Sequence, residues 1–134
     1  MILLISAQDI KRISLGLADG GMLQKEGEVD TPPERYLEAV SKALETWKID
    51  PRADLSAVAV VTGPGAFTSS RVSTVIANAI AFAADLPVIP VENPGNRGLK
   101  EIAATLPAPQ AVGDGAQAFA QPTYNRPPNI TINP

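Results

Sequence analysis

Apolar residues along this chain come in short runs that switch between unbroken and alternating patterns. Residues 2–7 form an unbroken run, the pattern of a strand buried on both faces. Residues 12–18 alternate, with Ile13, Leu15 and Leu17 on one side and Arg12, Ser14 and Gly16 on the other. Asp19-Gly20-Gly21 follows, a hairpin turn whose residues tolerate positive φ. Residues 22–29 return as a third strand, more polar and expected nearer a sheet edge. Thr31-Pro32-Pro33-Glu34 predicts a helix start, with Thr31 as cap, proline in the first turn and Glu34 at capping-box spacing. Tyr36, Leu37, Val40, Leu44 and Trp47 recur at helical spacing, so a helix with one apolar face is expected from residue 33 to 47, stopping before Pro51. Residues 57–61 read as another buried strand, broken by Gly63-Pro64-Gly65. A helix over 68–84, a strand over 88–91, a loop over 93–98 and a short helix over 99–106 complete the pattern.

The predicted order is β-β-β-α-β-α-β: a three-stranded meander followed by αβ crossovers. That is an α/β class, with a mixed sheet and helices on its faces. Beyond Pro107 the composition turns to Pro, Ala, Gln, Gly and Asn. A very short strand at 111–112 and a helical turn or two at 114–120 are expected there. Residues 121–134 have too few apolar side chains to fold alone, and are either disordered or an extended strap lying on something else.

Composition narrows the function classes. The chain has 134 residues, the size of one domain. Aromatics make up only 4%, so Val, Ile, Leu and Ala must fill the core. A net charge of −3 gives no global field to attract nucleic acid. If the protein works near RNA, another subunit must supply the basic surface. Cysteine is absent, which excludes disulfides and thiolate catalysis. Histidine is absent too, removing the commonest general base and zinc ligand. The N-terminal apolar run is too short for a signal peptide, and no run approaches the roughly 20 residues that span a bilayer. The expectation is a cytoplasmic protein with no membrane contact, no metal and no cofactor.

The most informative stretch is residues 58–71, VAVVTGPGAFTSSR, where a buried strand meets a glycine-rich turn and then a helix. Free N–H groups at the helix start, with Thr68, Ser69, Ser70 and Arg71, have the chemistry to hold a phosphate or carboxylate. On chemistry alone, a plain strand-to-helix elbow with a Ser or Thr cap is the favoured reading of the same residues. The lysine of a Walker A motif is missing. Within the helix, Ser69, Ser73, Ala77 and Ala81 form an i, i+4 ridge of small residues that lets another element come close. Val72, Val75, Ile76, Ala79 and Ile80 are expected to face the sheet. The ridge is then covered either by the first helix of the same chain or by a partner subunit.

GPGAFTSSRVS resembles the GPGSFTGxRxG signature of the TsaB (YeaZ) family, a bacterial subunit of tRNA threonylcarbamoyladenosine biosynthesis. The match lies at Gly63, Pro64, Gly65, Phe67, Thr68 and Arg71, with departures at Ala66, Ser69 and Ser73. The context agrees: an N-terminal strand, a DGG hairpin, a helix, a strand, the signature and LPVIPV. In the tail, residues 112–116 (VGDGA) and 122–128 (PTYNRPP) are similar to late elements of the family. The first strand departs, placing Ser6 where the family usually has Asp; Asp9 is near, but an odd shift along a strand would put it on the other face.

The resemblance implies a single lobe of the actin-like ATPase, RNase H-like type over residues 1–106. Residues 107–134 would be a remnant of a second lobe, or a strap. It implies a non-catalytic scaffold, with no catalytic residue of its own, that binds a TsaD-like transferase through a bundle of first-lobe helices. A TsaE-like ATPase would join, and tRNA would be met only indirectly, in the assembly that modifies adenosine 37. The partner interface would use Tyr36, Val40, Ser69, Ser73, Ala77 and Ala81, and a homodimer through the same helices is a further expectation. Two other readings stay open. One is a regulatory module that holds a nucleotide phosphate on residues 63–71. The other is a peptidase, for which the chain lacks His and Cys.

Overall fold

The structure is a computed structural model, which describes residues 1–9, 11–65 and 67–106. Its centre is a five-stranded sheet made of β1 (Ile2–Ser6), β2 (Arg12–Asp19), β3 (Met22–Asp30), β4 (Ala57–Gly63) and β5 (Val88–Glu92), in the order β3-β2-β1-β4-β5. The meander β1-β2-β3 is antiparallel, while β4 and β5 run parallel to β1. This is the mixed sheet with helices on its faces expected from the sequence. Gly20 and Gly21, at φ 62° and 81°, make the turn between β2 and β3.

The unbroken apolar run in β1 follows from its place between β2 and β4. Leu3 and Ile5 point to one face and join Leu15, Val58 and Val60 in a core. Ile2 and Leu4 point to the other and pack with Ala59, Val61 and Ile89. The first face is covered by helices α1 (Tyr36–Thr46) and α3 (Phe67–Ala84), the second by α4 (Leu99–Thr105) through Leu99 and Ile102. Strand β3 is the polar edge that the sequence suggested.

The helix starts and stops differ from the prediction. A 3-10 turn over Pro33–Arg35 precedes α1, and Pro32 at its cap makes no side-chain capping bond. The Thr31 N–H instead donates to the Lys11 carbonyl at 3.0 Å, so Thr31 prolongs the β2–β3 pairing. Helix α1 ends at Thr46, Lys48 takes a positive φ of 56°, and Asp50 caps a separate short helix, α2 (Pro51–Asp54), by accepting from the Arg52 N–H at 3.1 Å.

The larger correction concerns α3. Tyr36, Val40, Ser69, Ser73, Ala77 and Ala81, expected at a partner interface, are all buried within this chain. The small ridge faces inward because it lets α3 lie close against β4 and beside α1. Of the residues expected on the sheet, Ile76 is buried and Val72 and Ile80 are half-buried, but Val75 is 60% exposed and Ala79 is exposed. The expected elements at 111–112 and 114–120, and the tail as a whole, lie outside the described residues. Among the described residues, no helix is long and apolar enough to cross a membrane.

Candidate functional site

The carboxyl ends of the parallel strands β1, β4 and β5 lie side by side, so the loops that follow them meet. In open α/β sheets that edge is where ligands are held. The signature loop follows β4. Gly63 stands at φ 134°, a conformation that suits glycine, and is joined to Pro64 by a cis peptide bond. Gly65 packs against the loop after β1: a Cβ there would sit 2.9 Å from the Gln8 carbonyl oxygen and 3.0 Å from the Gln8 Cα. No other residue fits without moving that backbone.

A polar clasp fixes the three loops together. The Gln8 side-chain amide donates to the Pro64 carbonyl and to the Asn93 carbonyl at 3.0 Å. Its oxygen accepts from the Asn93 amide at 2.8 Å. Asn93, fully buried, also donates to the Arg97 carbonyl at 3.0 Å and accepts from the Arg97 N–H and Nε at 3.0 and 3.1 Å. The Asn93 N–H donates to the Gly63 carbonyl at 2.9 Å. Both amide side chains are thereby well satisfied, as burial requires. Neither Gln8 nor Asn93 was singled out from sequence. They are 85 residues apart, and the only local signal is a polar residue just past the end of an apolar strand.

A second polar tie sits where α3 passes α1. The Tyr36 hydroxyl lies 3.1 Å from the Arg12 carbonyl, 3.2 Å from the Asp9 carbonyl and 3.1 Å from the Ser69 Oγ. It donates toward the carbonyls and accepts from Ser69. Two signature departures, Ser69 and Ser73, are thus packed inside, while Thr68 and Arg71 stay exposed on the outer side of α3. The side chain of Phe67 lies outside what the structure describes. The Ser70 hydroxyl is buried with no hydrogen-bond partner, whereas the Ser70 carbonyl accepts from Ser73 at 3.1 Å and Thr74 at 2.7 Å.

Beside the clasp lies a cleft of about 550 Å³, whose lining includes Ser6, Gln8, Asp9, Arg12, Glu28 and Arg97. Among the described residues, those of the signature do not line it. Ser6 and Asp9 do share it, contrary to the alternation expected from sequence, because β1 ends at Ser6 and Asp9 lies beyond it. Arg12 is already committed within the sheet, 2.7 Å from Asp30 and 3.7 Å from Glu28. The hydrogen bond it donates to Asp30, then the charges of Asp30 and Glu28, hold its guanidinium above its ordinary pKa. Among the described residues, no group of three or more His, Cys, Asp or Glu is placed to hold a metal ion. The cleft is polar and contains charges of both signs; within it the Ser14 hydroxyl donates to a Glu28 carboxylate oxygen at 3.4 Å.

The outer side of α3 is different in character. Val75, Ala79 and Phe82 follow one another at spacings of four and three, on one stripe. All are exposed, Phe82 at 80%, and Leu37 of the neighbouring α1 is 56% exposed.

Comparisons with known proteins find similarity to two proteins of tRNA threonylcarbamoyladenosine chemistry and to YeaZ structures. The family model for TsaD, tRNA N6-adenosine threonylcarbamoyltransferase, matches residues 33–94. The tRNA threonylcarbamoyladenosine biosynthesis protein TsaB of Haemophilus influenzae is 54% identical over 39 residues, which are 29% of this chain and 16% of that protein. Among solved structures, YeaZ from Pseudomonas aeruginosa superposes with a TM-score of 0.58 at 26% identity, over 68% of this chain and 43% of that one. A second structure, described as an uncharacterized protein with similarity to peptidase YEAZ from Pseudomonas aeruginosa, gives a TM-score of 0.58 and 26% identity over 68% of this chain and 42% of that one. The chain therefore spans less than half the length of the relatives it matches.

Proposed function

We infer that this chain is a member of the TsaB/YeaZ family and a non-catalytic partner subunit in the making of threonylcarbamoyladenosine in tRNA. Its partner is a TsaD-type transferase, held on the outer stripe of α3. The observation that carries this reading is the exposure of Val75, Ala79 and Phe82 on one stripe of α3. A large ring left in water on a regular helix marks a surface that gains by being covered. The residues that bind are thus neighbours of the ridge first expected, turned to the opposite side of the same helix. The scaffold role fits a chain without His or Cys.

Calorimetric titration with the TsaD-type subunit of the same organism tests this. Binding is expected for the native chain, and a loss of tenfold or more, about 1.4 kcal/mol or greater, for Phe82→Asp. Equal affinity of the two would refute the assignment of this stripe. Self-association through the same stripe is the expected competitor when the partner is absent, as is a TsaE-like ATPase joining only the assembled pair.

A second reading is favoured by one observation: Thr68 and Arg71 are exposed at the start of α3, at the carboxyl edge of the sheet. On it, residues 63–71 hold a nucleotide phosphate and regulate the subunit. Binding of a non-hydrolysable ATP analogue that is lost in Arg71→Ala would favour it over the scaffold alone.

A further inference from the structure

Strand alternation sets a row of polar side chains on the sheet face that carries α4. Ser6 pairs with Ser14, and Ser14 with Glu28, so the three stand side by side across β1, β2 and β3. They share the side of Ile2 and Leu4, which pack under α4. Neighbouring strands lie about 4.8 Å apart, so the row is about 10 Å wide. The apolar cover ends at Gly16, where a Cβ would lie 2.7 Å from the Leu23 Cδ1 and 3.3 Å from the Leu99 Cδ1. Two residues away, Ser14 is only half-buried, as is Ser6. There the uncovered sheet becomes the floor of the 550 Å³ cleft, and the loop before α4 is one of its walls.

Most of the charge in this cleft is engaged. Arg12 is held by Asp30 and Glu28, and Glu28 also accepts from Ser14. Arg97 is different. Its N–H and Nε donate to the Asn93 side-chain oxygen at 3.0 and 3.1 Å, and its carbonyl accepts from the Asn93 amide at 3.0 Å. Among the described residues, nothing accepts from its two terminal nitrogens and no carboxylate pairs with it. A half-buried guanidinium, fixed at Nε with its terminal fork empty, is a receptor for a planar carboxylate. Asp9 is its counterpart. It follows Gln8, which is bonded to the same Asn93, and its exposed side chain makes no hydrogen bond or ion pair among the described residues. One cation and one anion, both without a partner, are thus carried into one cleft by one clasp.

We propose that this cleft binds a free amino acid as its zwitterion, with the carboxylate on Arg97 and the ammonium on Asp9, above the Ser6 and Ser14 hydroxyls. Charge selects the class. A phosphate would meet Asp9, Glu26 and Glu28 around the Arg97 fork and be repelled. A simple amine would leave Arg97 unanswered, and a simple carboxylate would leave Asp9 so. A zwitterion satisfies both, and opposite charges at its two ends fix its orientation. The hydroxyl floor favours a polar side chain over an apolar one. The site lies on the face opposite α3, so it is independent of the partner stripe.

Proton–nitrogen NMR titration of the full, isotope-labelled chain tests this, at constant pH and ionic strength, with L-serine, acetate, ethylammonium and phosphate as separate probes. L-serine is expected to give saturable shifts at the Gln8, Asp9 and Arg97 amides, with a Kd on the order of millimolar, as so few atoms allow. Acetate and ethylammonium each carry half of the charge pattern and should bind about tenfold more weakly, or less still. Arg97→Gln keeps both backbone bonds to Asn93 and should lose L-serine and acetate alike. Asp9→Asn, at an exposed side chain, should weaken L-serine about tenfold without weakening acetate. Acetate binding as tightly as L-serine would overturn the proposal, as would phosphate binding more tightly. So would L-serine affinity unchanged in Asp9→Asn, or no saturable shift in the native chain up to about 50 mM.

Discussion

Replacing Ala77 by leucine separates the inner from the outer side of α3. Ala77 is fully buried where α3 meets the sheet, one turn from Ser73 and Ala81 on the same ridge. Leucine adds three carbons to a fully buried site. Overpacking of this kind costs about 1–3 kcal/mol, because neighbours must leave their rotamers or the helix must lift. For a body of this size each kcal/mol lowers the melting temperature by roughly 4–8 °C, so a fall of at least several degrees is expected. The control is Ala79→Leu, the same chemical change two residues on, at an exposed position. Its expected effect is within about 0.5 kcal/mol. Thermal unfolding followed by circular dichroism, with both variants and the native chain at one concentration, gives the answer. If Ala77→Leu melts with the native chain, or if Ala79→Leu falls equally, the ridge does not face inward and the description of α3 is wrong.

Other consequences are as sharp. Tyr36→Phe removes the hydroxyl that links the Asp9 and Arg12 carbonyls to Ser69, and should cost about 1–3 kcal/mol in urea unfolding; a double-mutant cycle with Ser69→Ala should show coupling of at least roughly 0.5 kcal/mol. No change in stability would mean that the hydroxyl is solvated. Gly65→Ala drives a Cβ into the Gln8 backbone and should destabilise by about 1–3 kcal/mol, whereas an unperturbed melting curve would show that the two loops are not in contact. Ser70→Ala removes a buried hydroxyl without a partner, and is expected to leave stability unchanged or to raise it by about 1 kcal/mol; a clear loss would reveal a bond to that hydroxyl.

Strands and turns were legible because burial writes itself locally. Ile2–Ser6 is apolar at every position but its last, since β1 is covered on both faces. Met22–Asp30 is polar because it is an edge. The orientation of α3 was not legible. Val72, Val75, Ile76, Ala79 and Ile80 surround the small ridge so nearly that the helix has no strongly apolar side, and size rather than polarity decides which side goes in. Two serines point inward because their hydroxyls find partners there, Ser69 on Tyr36 and Ser73 on its own preceding turn. The Gln8–Asn93 clasp escaped for another reason. It depends on which loops the sheet order brings together, and that order is set by pairings across the whole chain. The signature loop was found by its glycines, and the structure accounts for both: Gly63 by its φ and Gly65 by its contact with Gln8.

The central claim is that the outer stripe of α3 exists to be covered by a TsaD-type subunit. Light-scattering mass after size exclusion, for the chain alone, for the TsaD-type subunit alone and for their mixture, tests it most directly. The account predicts a new species at the summed mass of the two subunits, absent when Phe82→Asp replaces the native chain. Unchanged masses in the mixture at micromolar concentration would contradict it.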